Sequence, residues 1–436
     1  MSARSGQPGA LGAAPPGTGR TGGGPMWAKA LDTMLRQLVQ HGRLEVTYTD
    51  GTKRSYGNGP GDPVRVRLSG KKTERRLAMH PNLAVGEAYM DGHLTVEGED
   101  IAGLIALALS NDARMTPAWW LTPARHLARW FRVLTQINPA GRARANVHHH
   151  YDLTPELYAL FLDADRQYSC AYFRSPDDTL EQAQAQKKAI IARKLCLQPG
   201  MRVLDIGCGW GGMALTLARD HGARVLGITL SEEQLAVATE RAAAEGLADR
   251  VEFRLIDYRK VEGRFDRIVS VGMFEHVGLP HYRTYFDAVR RLLTEDGVAL
   301  IHTIGNPGPP AATGPWIRKY IFPGGYIPAM SECLHAIEGA DLWTTDVEVW
   351  RLHYAETLLH WRRRFEANLE RIRALQDDRF CRMWRYYLAG SEMTFRYGDQ
   401  CVFQFQLARK RDAVPLTREY LYDSPLLATE RQGKCA

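Results

Sequence analysis

The chain has 436 residues, of which 45% are hydrophobic and 24% charged; that is ordinary for a globular protein and long enough for two or three domains. Its net charge of +7 is uneven, with 19 Lys and Arg against 11 Asp and Glu in residues 1–150 and 37 against 38 in the remainder. No apolar run approaches the roughly 20 residues that span a bilayer, and the seven scattered cysteines form no Cys-x-x-Cys pair, which excludes a zinc ribbon or disulfide framework and suits a reducing cytoplasm.

Residues 1–25 are dominated by Gly, Ala, Pro, Ser and Thr; they lack the apolar core of a secretory signal and read as a disordered tail. Residues 26–145 read as a smaller mixed N-terminal domain. A helical pattern over 27–40 precedes short strands at 44–48 and 64–68, separated by Gly, Asn, Asp and Pro turns. Between Asp112 and Asp152 there is no acid, but there are Arg114, Arg125, Arg129, Arg132, Arg142 and Arg144. On a helix over 121–135, Arg125, Arg129 and Arg132 fall within about 60° of one another. Leu127, Trp130, Phe131 and Leu134 fall on the opposite side. Two readings fit: a helix lying on an anionic membrane surface, or one packing its Trp/Leu face on the rest of the protein. A nucleic-acid patch fits less well, because the aromatic residues point away from the arginines.

From about residue 197 the pattern alternates strand and helix. Strands are expected at 202–206, 224–229, 251–256, 267–271 and 298–304, with helices at 232–245 and 281–293. This is the signature of an α/β, doubly wound (Rossmann-like) sheet, whose ligands sit at the carboxyl ends of the strands. Helices rich in Arg, Trp and Tyr interrupt it over about 315–395, and 401–409 returns as a final antiparallel strand.

The first strand ends in Asp205-Ile-Gly207-Cys-Gly209-Trp-Gly211-Gly212. Glycines allow a tight turn and close approach to a ligand. The acid departs from the pyrophosphate-binding fingerprint and matches the Asp-x-Gly-x-Gly-x-Gly pattern of S-adenosylmethionine (SAM) methyltransferases. The second strand ends in Thr229-Leu-Ser231, with Gln234 a turn later, where such enzymes usually place an acid for the ribose hydroxyls. Hydroxyl and amide groups are expected to take that role here.

Ordered segments across residues 80–409 carry a wider resemblance. They include Gly86-Glu-Ala-Tyr-Met-Asp-Gly92, His150-Tyr-Asp-Leu153, Gln167-Tyr-Ser-Cys-Ala-Tyr-Phe173, 199–212, Asp257-Tyr-Arg259, 265–278, His302-Thr-Ile-Gly305, 319–323 and Tyr386-Tyr-Leu388. In these the chain resembles the cyclopropane-fatty-acyl-phospholipid synthases, the group that includes the mycolic acid cyclopropane synthases. The resemblance implies methylene transfer from SAM to the cis double bond of an unsaturated acyl chain in a membrane phospholipid, with bound bicarbonate as the base. It places the bicarbonate pocket at Cys170, Glu275, His302, Ile304 (through its backbone) and Tyr354. Glu275 cannot be a charged anion ligand there, because two buried negative charges repel; it is expected to be protonated or to orient His302 and bound water. A family cysteine after the Tyr-Tyr-Leu segment is Ser391 in this chain.

For SAM the expected residues are Tyr168 and Ser169 over the methionine end, Asp205, Gly207 and Gly209 in the loop, Thr229 and Gln234 at the ribose, and Asp257 and Tyr258 beside the adenine. No metal is expected, since adjacent histidines such as His148, His149 and His150 rarely converge on one ion and no Cys or acid cluster accompanies them. The partners implied are an anionic membrane surface, on its cytoplasmic face, and a second copy of the chain; nucleic acid is not among them. A methyl-branched product, and a small-molecule methyltransferase, remain as alternatives.

Overall fold

The computed structural model describes residues 25–112 and 154–422. The tail over 1–24, the segment with Arg125, Arg129 and Arg132, and the histidines at 148–150 lie outside the described residues.

In the first stretch α1 (Pro25–Leu38) leads into β1 (Leu44–Thr47), β2 (Lys53–Tyr56) and β3 (Val64–Leu68). Then come α2 (Thr73–Met79), α3 (Pro81–Met90), β4 (Leu94–Val96) and α4 (Ile101–Asp112). The strands form a sheet ordered β2-β1-β3-β4, with β1 and β3 parallel. Its alternating residues Leu44, Val46, Val66 and Leu68 are buried in one cluster with Leu31, Leu77 and Tyr89, as a one-sided sheet requires.

The second stretch opens with α5 (Pro155–Ala159) and α6 (Leu180–Lys194), the latter started by a Thr179/Gln182 capping box. There follow β5 (Arg202–Ile206), α7 (Gly212–His221), β6 (Arg224–Thr229), α8 (Glu232–Ala244), β7 (Val251–Leu255), β8 (Phe265–Val271), α9 (Tyr282–Leu292) and β9 (Leu293–Gly305). The last elements are α10 (Pro315–Tyr320), α11 (Met330–Gly339), β10 (Trp343–Trp350), α12 (His353–Ala367), α13 (Leu369–Leu375), α14 (Asp378–Tyr397) and β11 (Cys401–Ala408).

These strands make one sheet ordered β10-β11-β9-β8-β5-β6-β7. Strands β5 to β9 are parallel, and β11 runs antiparallel between β9 and β10. From β5 the chain winds outward to β6 and β7, then returns to β8 on the other side, so the crevice opens where β5 and β8 end. One expectation is corrected. The segment 315–395 is not helical throughout, because β10 lies within it. Its alternating Thr-Thr-Asp-Val-Glu-Val-Trp suits a strand with a single partner.

The two sheets are tied together by α14, whose Ala389 and Met393 enter the core of the first sheet, and by the joint between α3 and α10. There the buried Glu87 carboxylate accepts from Lys319 Nζ at 2.6 Å and Tyr320 Oη at 2.8 Å, and also pairs with Arg76. Gly86 lets Trp316 close on α3: a Cβ at that position would lie 2.4 Å from the indole Nε1.

Candidate active site

The loop after β5 turns through left-handed conformations, with φ of +83° at Gly207 and +53° at Gly209. Such angles strain any residue with a Cβ. The loop borders a cavity of about 170 Å³. All nine residues expected to meet SAM line it: Tyr168, Ser169, Asp205, Gly207, Gly209, Thr229, Gln234, Asp257 and Tyr258. They come from the ends of β5, β6 and β7, from the first turn of α8 (Gln234) and from the 166–169 segment before α6, as strand-end binding dictates.

The chemistry of the lining suits SAM, which carries an ammonium and a sulfonium as cationic groups. Asp205 is 2% exposed, and its Oδ2 has no hydrogen-bond partner among the described residues. Burial raises its pKa to about 7, so a cation beside it would relieve the cost of its charge. A Cβ at Gly209 or Gly272 would meet nothing within 4 Å; both glycines line the cavity and leave room for a ligand. Thr229 donates to Gln234 Oε1 at 2.8 Å, and Ser231 caps α8 by accepting from the Gln234 N–H. The β6 end thus presents neutral groups. Asp257 is held by the Arg259 guanidinium at 2.8 and 2.5 Å and by the Arg259 N–H. Its carboxylate is therefore engaged with Arg259 before any ligand arrives.

None of the five residues expected to hold the base lines this cavity; they sit in the packed layer behind it. Cys170 directly follows Tyr168 and Ser169 and is fully buried in one cluster with Tyr354, against which Ile304 packs. His302 and Ile304 share a face of β9 by strand alternation. Glu275 follows β8, and its Oε1 accepts from the Ile304 N–H at 2.7 Å. Glu275 thus contacts Ile304 and not His302, and it occupies the donor that the family resemblance assigns to the anion. Its Oε2 is buried without a partner among the described residues. Burial raises its pKa to about 7, in the direction of the protonated form expected from charge repulsion. Burial also pushes the Cys170 thiol up and holds His302 well below its usual value. Thiol and imidazole are neutral groups, and neutral donors suit a small anion.

The sequence reading missed three contributors. His276 lines the cavity, and burial lowers its pKa to about 4. Lys187 is 0% exposed and donates to Gln167 Oε1 and Ser169 Oγ, both at 2.8 Å. Burial lowers its pKa to about 8, and its charge lies close enough to act on Cys170, Asp205 and His302. Gln404 bonds His302 directly. A Lys-Lys pair in a helix ordinarily reads as solvated; the signal that could have found Lys187 is its place on the face of α6 that carries Ala183, Ile190 and Ile191.

An acid-and-glycine loop at the switch point of this sheet, lined as described, defines a SAM-dependent methyltransferase. The comparisons narrow the class. The family model for mycolic acid cyclopropane synthetase matches residues 139–405, and a domain family of unknown function matches residues 30–117. The chain is 38% identical over 410 residues to a probable fatty acid methyltransferase of Pseudomonas putida, covering 89% of this chain and 100% of that one. It is also 38% identical over 362 residues to the cyclopropane-fatty-acyl-phospholipid synthase of Escherichia coli K12, covering 81% and 89%. Among solved structures, the mycolic acid cyclopropane synthase CmaA1 with SAH and CTAB superposes with a TM-score of 0.58 at 34% identity, covering 62% of this chain and 99% of that one. The chain belongs to the mycolic acid cyclopropane synthase family.

Proposed function

We propose that this protein is a cyclopropane-fatty-acyl-phospholipid synthase, adding a methylene from SAM across the cis double bond of an acyl chain in a membrane phospholipid. The observation that carries this reading is the buried set Cys170, Glu275, His302 and Tyr354, joined to the SAM cavity by consecutive residues Tyr168, Ser169 and Cys170.

SAM supplies an electrophilic methyl group. The chain's own residues must then shelter a carbocation on the acyl chain, exclude water, and let a proton leave the new methyl group so that the ring closes. Exclusion of water falls to the aromatic layer behind Tyr168, which stacks on Trp361 at 5.1 Å; Trp384 and Tyr387 extend the layer. Tyr168 and Tyr387 join their hydroxyls at 2.8 Å, fastening the loop that covers SAM to α14. Bicarbonate as the base needs neutral donors that do not attack carbon, and the thiol of Cys170, the hydroxyl of Tyr354 and the ring of His302 are of that kind. The Ile304 N–H, bonded here to Glu275 Oε1, is the backbone donor that the resemblance assigns to the anion.

The basic, aromatic segment with Arg125, Arg129 and Arg132 would carry the enzyme to the anionic inner face of the membrane, and a second copy would join through the N-terminal domain. Among the described residues no helix is long and apolar enough to cross a membrane. A second reading, methyl transfer that leaves a branch in place of a ring, is compatible with the similarity to the Pseudomonas putida protein, named only as a probable fatty acid methyltransferase.

Proton NMR of lipids from cells expressing the chain tests the two, since cyclopropane methylene protons are absent from any branched product. Cys170→Ser and Glu275→Gln should each cut ring formation while leaving SAM affinity near normal. Loss of SAM binding in both would refute the division between the two sites. Exchange of Arg125, Arg129 and Arg132 together for Glu should abolish binding to anionic liposomes; retained binding refutes the docking segment.

A further inference from the structure

A polar row crosses three strands of the buried sheet. His302 on β9 stands directly opposite Gln404 on β11, and Gln404 stands opposite Glu348 on β10. Residues directly opposite one another share a face. Lys194, from the last turn of α6, closes over that face. Its Nζ donates to Gln404 Oε1 at 2.7 Å and also to Glu348. Gln404 Nε2 lies 3.0 Å from His302 Nδ1. Gln404, Lys194 and His302 are 0%, 1% and 2% exposed, so water cannot substitute for the Lys194–Gln404 or Gln404–His302 link, while Glu348 at the outer end is partly exposed.

The direction of the chain follows from what each group can do. An ammonium has donors and no acceptor. The amide oxygen of Gln404 must therefore face Lys194, and its NH2 must face His302. Nδ1 is then the acceptor, and a neutral imidazole carries its proton on Nε2. Burial holds the ring neutral, and the charges of Lys187 and Lys194 act in the same direction. Glu348 is spent on Lys194.

We propose that the Glu348–Lys194–Gln404 chain is a tautomer clamp that holds His302 as a neutral Nε2–H donor, so that His302 binds the base of the reaction and is not itself the base. The catalytic consequence rests on the placement of His302 in the pocket proposed above. Nδ1 has its lone pair bound to Gln404, and Nε2 has none to give. When a C–H bond of the new methyl group breaks, its electron pair forms the ring C–C bond. With bicarbonate held there, the proton would go to one of its oxygens. Lys194 and Gln404 are positioning residues: they touch neither substrate nor base.

The test is nitrogen-15 NMR of the full-length protein labelled on histidine, with the His302 signals assigned by their loss in His302→Gln. The wild type should show the Nε2–H tautomer, unchanged between about pH 6 and pH 8. Gln404→Glu places an acceptor against Nδ1 and should move the proton there, or give the imidazolium. Ring formation should then fall in kcat by about 10-fold or more, with SAM affinity within about twofold. Lys194→Met frees the amide to rotate and should yield mixed tautomers, whereas Lys194→Arg keeps a donor and should restore Nε2–H. Wild-type His302 found as Nδ1–H, or charging within that pH range, overturns the clamp. If the tautomer switches in Gln404→Glu but turnover does not change, the placement of His302 in the reaction fails instead.

Discussion

Glu275→Gln probes the electrostatics of the proposed base pocket without disturbing its shape. Gln keeps the Oε1 acceptor that takes the Ile304 N–H at 2.7 Å and fills the same volume. What it removes is the carboxyl proton equilibrium. Burial raises the Glu275 pKa from 4.5 in a free side chain to about 7. A raised carboxyl contributes its full stability below the unfolded pKa and loses it as pH rises through the folded one. Wild-type stability should therefore fall between about pH 4.5 and pH 7 from this group and be level above that.

The size follows from linkage. A rise from 4.5 to about 7, at roughly 1.4 kcal/mol for each tenfold change in the protonation constant, gives a full cost of about 3 kcal/mol. Part of it is already present at pH 5, so the advantage of the Gln variant should grow by about 2.5 kcal/mol between pH 5 and pH 8. Asp205, raised from 3.8 to about 7, bends both curves in the same way and cancels in the difference. Urea unfolding of SAM-free wild type and variant at the two pH values measures it. Parallel curves, with a difference independent of pH, would refute the assignment of a buried, raised carboxyl and with it the argument that Glu275 enters the pocket neutral.

Lys187 should give the opposite slope. Its pKa is depressed from 10.5 to about 8, so its stability is present at high pH and lost as pH falls through 8; relative to Lys187→Met the wild type should gain about 3 kcal/mol between pH 8 and pH 10.5, read by the same unfolding experiment. A wild-type gain of zero would place the ammonium in water. Gly207→Ala combines a φ of +83° with a Cβ 2.8 Å from Met273 Cβ; it should cost about 1–2 kcal/mol and weaken SAM binding in calorimetry, and intact affinity would refute the close packing of the loop. Gly86→Ala drives a Cβ to 2.4 Å from Trp316 and should cost about 1–3 kcal/mol, seen as a lower melting temperature; an unchanged melting temperature would show that α3 and α10 are not pressed together.

What was legible in the sequence and what was not divide by the distance over which the information travels. Asp205, Gly207 and Gly209 were readable because an acid, a turn and a helix start are local properties of ten residues. Cys170, Glu275, His302, Ile304 and Tyr354 were named from resemblance, residue by residue. No local pattern connects Glu275 to Ile304, and their bond exists only because β8 and β9 are neighbours in the sheet. Strand β10 escaped because an edge strand buries little. Five of its eight residues are polar or are the exposed Trp343, and the helices on either side dominate the composition. Lys187 and Lys194 look like ordinary helix cations; for Lys187 the mark of burial was its place on the face of α6 that carries Ala183, Ile190 and Ile191. Gln404 reads as one polar residue in an alternating strand, yet it settles which nitrogen of His302 is protonated.

The arrangement also separates two tasks that a single basic side chain would confuse. A histidine free to accept at Nε2 could take the proton, but its nucleophilic nitrogen could equally capture the carbocation. With Nδ1 committed to Gln404 and Nε2 carrying hydrogen, that lone pair is withdrawn. The same logic applies to Cys170, whose burial keeps it a thiol and not a thiolate. On the proposed reading, a site that must shelter a carbocation gains as much from suppressing its own nucleophiles as from holding a base. Lys187 and Lys194 would then act as positioning residues: Lys187 opposes protonation of His302 while Lys194 orients the amide that fixes its tautomer.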